Sequence, residues 1–111
     1  MTENKSIVAR CLEGFSKADP EQILSCLADD VIWDMPGSFR HVGKEAFGKE
    51  LDGAFAGHPV VSVARLIEED GVVIAEGSVR GDDGIPMVFC DVFEMRGGKI
   101  AKLVAYIPQQ K

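Results

Sequence analysis

The chain has 111 residues, 46% of them hydrophobic, and a formal net charge of −6. That length can bury a core without disulfide or metal staples, so one domain over residues 1–111 is predicted. The acidic balance argues against nucleic acid and anionic membranes as partners, since both reward basic patches.

The opening stretch, MTENKSIVAR, has no apolar core of the signal-peptide kind. Ile7, Val8, Cys11, Leu12 and Phe15 then recur at the spacing of one helix face. After a break at Ala18-Asp19, Asp19-Pro20-Glu21-Gln22 predicts a second, short helix. Asp19 is its N-cap, Pro20 takes the first helical position, and Gln22 is placed to complete a capping box. That helix carries Ile23, Leu24 and Leu27 and is expected to end at Ala28-Asp29-Asp30. Val31 to Met35 predict a strand stopped by Pro36-Gly37. A loop with Phe39, Arg40 and His41 leads to Gly43, and Lys44 to Ala56 predict a third helix using Phe47, Leu51 and Phe55.

From His58-Pro59 onward the apolar period changes to two. Val60–Glu68, Val72–Arg80, Ile85–Arg96 and Lys99–Ile107 are separated by Glu69-Asp70-Gly71, Gly81-Asp82-Asp83-Gly84 and Gly97-Gly98, which are turn residues able to supply positive φ. The order is helix, helix, strand, helix and a four-strand antiparallel meander, an α+β domain. Both faces of the last strands are apolar: Val88, Cys90 and Val92 oppose Phe89 and Phe93. The helices can cover one face, and a second copy of the chain is the economical cover for the other. No apolar run approaches the roughly 18–20 residues that a transmembrane helix needs. Cys11, Cys26 and Cys90 are scattered and odd in number, which suits reduced thiols and a cytoplasmic location.

The strand FCDVFEMRGGKI holds the main anomaly. Asp91 shares a face with Met87, Phe89, Phe93 and Met95, where an ionised, unpaired carboxylate is expensive. The turn before the strand decides what faces it. If Asp83-Gly84 is a two-residue turn, Glu76 lies opposite Asp91 and two carboxyls share the site. If Asp82-Asp83-Gly84 is a three-residue loop, Ala75 faces Asp91 and Glu76 lies outside, a cleaner partition.

The element order, with ADDVIWDMPG after two helices, GKEAF opening the third and FCDVFEMRGGKI before a final strand, resembles the SnoaL-like proteins of the nuclear transport factor 2 superfamily. Ketosteroid isomerase and limonene epoxide hydrolase belong to the same superfamily. The resemblance implies a cone-shaped, curved antiparallel sheet wrapped around three helices from the N-terminal half, an apolar cavity inside the cone, and a homodimer through the outer sheet face. It is specific for the fold and not for the reaction. The epoxide hydrolase Arg-x-Asp and last-strand Asp match Gly77, Val79 and Ala105 here, so all three reactive groups are missing. Against ketosteroid isomerase, Asp91 matches the protonated acid that donates a hydrogen bond to the substrate oxygen. The oxyanion Tyr matches Cys11, a weaker donor. The general-base Asp matches Met35, one residue past Asp34. A one-residue bulge would let Asp34 serve as base; a regular strand would put Asp34 and Met35 on opposite faces.

Asp91 and Asp34 are therefore the catalytic candidates. Trp33, Met35, Phe55, Phe89, Phe93, Leu103 and Ile107 are candidate ligand-binding residues, and Ala75, Gly77 and Ala105 are small inward side chains that leave room. His41 and His58 lack a third ligand at plausible spacing, so no metal site is expected, and no cofactor is implied. Two functions follow. One is a cofactor-free isomerase or cyclase moving a proton on an apolar carbonyl compound, with Asp91 as neutral donor and Asp34 as base. The other is a non-catalytic module that binds a small apolar ligand.

Overall fold

The computed structural model describes residues 1–107. Thr2 opens the first helix, α1 (Glu3–Lys17), by accepting a hydrogen bond from the Lys5 backbone N–H at 3.2 Å. Ala18 closes it in the left-handed conformation, with φ 52°. Gly14 lets the next helix pack hard against α1: a Cβ there would stand 2.6 Å from Ile23 Cγ1.

In α2 (Pro20–Leu24) the expected capping box forms only by half. The Asp19 carboxylate accepts from the Gln22 backbone N–H at 3.1 Å. The Gln22 side chain instead donates to the Arg10 carbonyl at 2.8 Å and to Glu13 Oε1 at 3.1 Å, which ties α2 to α1. The helix stops at Leu24, and β1 (Leu27–Met35) starts earlier than the sequence pattern indicates. Leu27 and Val31 are buried while Asp29 and Asp30 are exposed, and the pairing register slips between Leu27 and Ile32. That irregularity hides the strand from a period-two reading. Residues 39–42, expected as loop, form a short edge strand β2 (Phe39–Val42) antiparallel to β1. Four residues that include Arg40 and His41 are too few to display the period.

After α3 (Lys44–Phe55) come β3 (Val60–Glu69), β4 (Val72–Arg80), β5 (Pro86–Arg96) and β6 (Lys99–Tyr106). The six strands form one sheet in the order β2-β1-β6-β5-β4-β3. It is antiparallel except at β1–β6, which pair parallel, a correction to the fully antiparallel sheet expected. The long excursion through α3 and the meander separates these two strands, so no tight hairpin dictates their direction.

Two features bend β3 over the concave side of the sheet. Its register against β4 shifts between Val63 and Arg65, leaving Ala64 extra, as in a bulge. Opposite, Gly77 admits the Ser62 carbonyl so closely that a Cβ would lie 2.1 Å from its oxygen. Glycine is the residue that tolerates such an approach.

The helices cover the concave face. Val8, Cys11 and Leu12 of α1 and Phe47 and Leu51 of α3 join Val31, Trp33, Val73, Phe93 and Leu103 of the sheet in one buried cluster. Each such large side chain contributes roughly 1.5–3 kcal/mol through burial. Trp33 anchors one end: its ring stacks on Phe47 at 4.3 Å and meets Phe39 and Phe15 edge-on at 5.1 and 5.9 Å. The convex face keeps exposed apolar residues, among them Val88, Ile67 and Tyr106.

Candidate functional site

Period-two geometry on β5 sends Phe89, Asp91 and Phe93 to the concave side. Their cross-strand partners differ in size. Phe93 lies between Val73 and Leu103, Asp91 between Ala75 and Ala105, and Phe89 opposite Gly77. Arg80 pairs with Pro86, so the longer loop separates β4 from β5, and Ala75 rather than Glu76 faces Asp91. Glu76 lies on the other face, joined to Arg65 by an ion pair.

Asp91 and the small Ala105 beside it border a cavity of about 200 Å³. Trp33, Phe15 and Leu12 line it from the helix and β1 side; Phe89, Leu103 and Ala105 come from the meander. Met35, Val61, Val79 and Ile107, all partly exposed, form its outer part with Ala54 and Pro59. Asp91 is the one ionisable side chain among the lining residues.

Asp91 is 8% exposed, and its Oδ1 has no hydrogen-bond partner among the described residues. Burial raises its pKa from the usual carboxylate range to about 7. The cause is desolvation: the apolar walls disfavour the charged form, and no facing cation offsets that. Near neutral pH the group therefore populates both the acid, which can donate a hydrogen bond, and the carboxylate, which can accept a proton. The second buried side-chain atom without a partner among the described residues, Trp33 Nε1, also belongs to a lining residue. Buried polar atoms are normally satisfied, so the unpartnered carboxyl of Asp91 marks the cavity as able to receive a polar atom.

Trp33, Met35, Phe89, Asp91, Leu103, Ala105 and Ile107 thus meet at one cavity. Three sequence-based assignments need correction. Asp34 is not in the cavity: β1 and β2 pair in regular register from Ile32 to Met35, with no bulge, so Asp34 faces away from Trp33 and Met35. Its carboxylate lies 3.8 Å from Arg40, its cross-strand partner. The proposed acid–base pair of Asp91 and Asp34 is therefore not assembled. Phe55, at the end of α3, packs edge-on to Phe15 at 6.4 Å, and its neighbour Ala54 reaches the cavity instead. Phe93, fully buried, belongs to the filled core beneath.

Leu12, Phe15, Ala54, Pro59 and Val61 also line the cavity, and nothing in the sequence marks them as cavity residues. The first two fall on the apolar face of α1, where a cavity wall and a core look alike. Pro59 and Val61 arrive through the bend in β3, which no local pattern announces. Cys11, the position matching the isomerase Tyr, is fully buried outside the lining, and burial pushes its thiol pKa well up. His41 bonds Glu50 at 2.7 Å, and His58 bonds Asp82 at 3.0 Å on the surface. Among the described residues no three His, Cys, Asp or Glu side chains are grouped to hold a metal. No helix among them is long and apolar enough to cross a membrane.

A family model described as a SnoaL-like domain matches residues 8–103. No curated protein sequence matches significantly. Among solved structures, a candidate ketosteroid isomerase from Kribbella flavida superposes with a TM-score of 0.88 at 16% identity, covering 98% of this chain and 80% of its own. An epoxide hydrolase of the limonene epoxide hydrolase type from M. tuberculosis gives 0.83 at 21% identity, covering 96% and 83%. A candidate polyketide cyclase from Sinorhizobium meliloti gives 0.82 at 20% identity, covering 95% and 99%. At these identities the likeness is one of fold.

Proposed function

The chain belongs to the SnoaL-like domain family, and from that premise we propose that it binds a small apolar carbonyl compound, with the protonated Asp91 carboxyl donating a hydrogen bond to the carbonyl oxygen. One observation carries this reading: a lone, unpartnered carboxyl faces an otherwise apolar cavity. A neutral ligand with a hydrogen-bond acceptor satisfies the acid form without placing a net charge in the apolar site. Apolar walls with few convergent polar groups are the usual composition of a small-molecule site.

A second reading is supported by the pKa of about 7. A single carboxyl titrating near neutrality suits a general base, and Asp91 alone would take a proton from a carbon beside the carbonyl and return it to another. With Asp34 facing away, no second acid or base shares the site, so binding is the better supported function. Epoxide hydrolysis is disfavoured, since Gly77, Val79 and Ala105 carry no reactive group. The exposed Val88, Ile67 and Tyr106 support a homodimer through the convex face.

The test compares 1-tetralone with tetralin, its hydrocarbon counterpart, by quenching of Trp33, the single tryptophan. The ketone is expected to bind at least tenfold more tightly at pH 5.5. Equal affinities would contradict the carboxyl-to-carbonyl reading. Turnover of a β,γ-unsaturated ketone by wild type but not by Asp91→Asn would favour the single-carboxyl catalyst.

A further inference from the structure

The cavity's size and shape limit what the carboxyl can meet. Its volume is about 200 Å³. An engineered apolar cavity of about 150 Å³ holds benzene, whereas pockets for drug-sized ligands run from about 300 Å³ upward. The space lies between one aromatic ring and a drug-sized molecule.

Two phenylalanines flank Asp91 along β5. Phe93, wholly buried between Val73 and Leu103, belongs to the filled core on the deep side of Asp91. Phe89 stands one pleat repeat away, about 7 Å at strand spacing, toward the partly exposed Val79 and Ile107. Its ring is not free to retreat into the sheet. The space opposite is taken by Gly77 and by the Ser62 carbonyl that β3 folds over it, and a Cβ on Gly77 would already stand 3.1 Å from the Phe89 ring. Thus the open volume next to Asp91, over Ala105, has filled core on its deep side and Phe89 in its wall toward the outside.

We propose that the site selects compact neutral ketones of one or two fused rings, and that Phe89 is the residue that sets this size limit. The proposal rests on the reading of Asp91 as a hydrogen-bond donor to a carbonyl. A ligand of that size places its carbonyl at Asp91, beside Ala105, while its ring contacts Phe89, Trp33 and Leu103. A rigid three- or four-ring ketone with its carbonyl at Asp91 has to run past Phe89 toward the partly exposed Val79 and Ile107, and the close approach of β3 opposes any retreat of the Phe89 ring.

The experiment titrates wild type at pH 5.5 with a rigid series: 2-cyclohexenone, 1-tetralone, a three-ring ketone and a four-ring ketone, each beside its hydrocarbon counterpart. The expected result is that affinity rises from one ring to two and falls at least tenfold from two rings to three. Phe89→Leu, with its folding checked by thermal melting, is expected to raise the ratio of three-ring to two-ring ketone affinity at least tenfold. Binding of the three- or four-ring ketone by wild type as tightly as the two-ring compound overturns the size limit. An unchanged ranking in folded Phe89→Leu overturns the role of Phe89. Ketones that bind no better than hydrocarbons overturn the carbonyl reading instead, and the ring-number dependence of the hydrocarbons still reports the size limit separately.

Discussion

Ala75 lies directly across the sheet from Asp91, and this pairing gives the buried carboxyl its surroundings. With Ala105 on the other side, the carboxyl stands between two methyl groups that neither bond it nor fill the space around it. The same position in contact with a large side chain would be core, and opposite Glu76 it would be a carboxyl pair. The loop of residues 81–85, by setting the register of β5 on β4, thus fixes the isolation of Asp91.

Stability should depend on pH through this residue. Asp91 titrates at about 7 in the folded chain and near 3.9 when unfolded, so between those values the folded state binds more protons. Its contribution is therefore greatest at low pH and is lost as pH rises from about 4 to about 7, by up to about 1.4 kcal/mol per unit. Urea unfolding of wild type and Asp91→Asn across that range should give a difference between them that shifts toward Asp91→Asn as pH rises. A constant difference would mean that Asp91 is not desolvated.

Replacing the carboxyl by an apolar side chain should stabilise the fold and remove the function. Asp91→Leu is expected to gain about 1–3 kcal/mol at pH 7 by removing an unsatisfied buried group and filling space beside Ala105. Ketone binding should fall below detection. A destabilised Asp91→Leu would indicate that the carboxyl has a structural partner.

Asp34→Ala should change little. Its carboxylate is partly exposed and 3.8 Å from an exposed Arg40 guanidinium, and such surface pairs contribute about 0–1 kcal/mol. Ketone affinity should stay within about twofold of wild type, since the residue faces away from the cavity. Loss of binding or of any turnover in this variant would reinstate it as a site residue.

The bend in β3 should be intolerant of a side chain at Gly77. A Cβ there would lie 2.1 Å from the Ser62 carbonyl oxygen, so Gly77→Ala must move the strand. A loss of more than about 2 kcal/mol is expected from this overpacking. Near-wild-type stability by thermal or urea unfolding would show that β3 can give way.

On the convex face, Val88 is 66% exposed. Val88→Asp should convert a homodimer to monomer in sedimentation equilibrium without changing the monomer's ketone affinity. Wild type that sediments as a monomer would remove the homodimer.

Much of this arrangement is legible in the residue pattern, and the exceptions have physical causes. The meander declares itself through period two and its glycine turns, and Asp91 declares itself as a charge on an apolar face. The choice between the two turn registers before β5 follows from keeping Glu76 outside. Asp34 was harder, because a bulge and a regular strand predict opposite faces from the same residues, and only the pairing with β2 decides. Phe55 and Phe93 share the pattern of cavity residues because a wall and a packed core use the same side chains. The curvature of β3, which brings Pro59 and Val61 to the cavity, depends on a bulge at Ala64 and on how closely Ser62 passes Gly77, a tertiary relationship with no local signature.

The affinity of wild type for 1-tetralone as a function of pH tests the central claim most directly. A donor carboxyl titrating near 7 should bind well at pH 5.5 and about thirtyfold less tightly at pH 8.5, as the fraction of acid form falls. Tetralin should show no such dependence, and Asp91→Asn, which keeps a donor but cannot titrate, should bind the ketone at both values. A ketone affinity that is flat with pH in wild type, or one that rises toward pH 8.5, would contradict it.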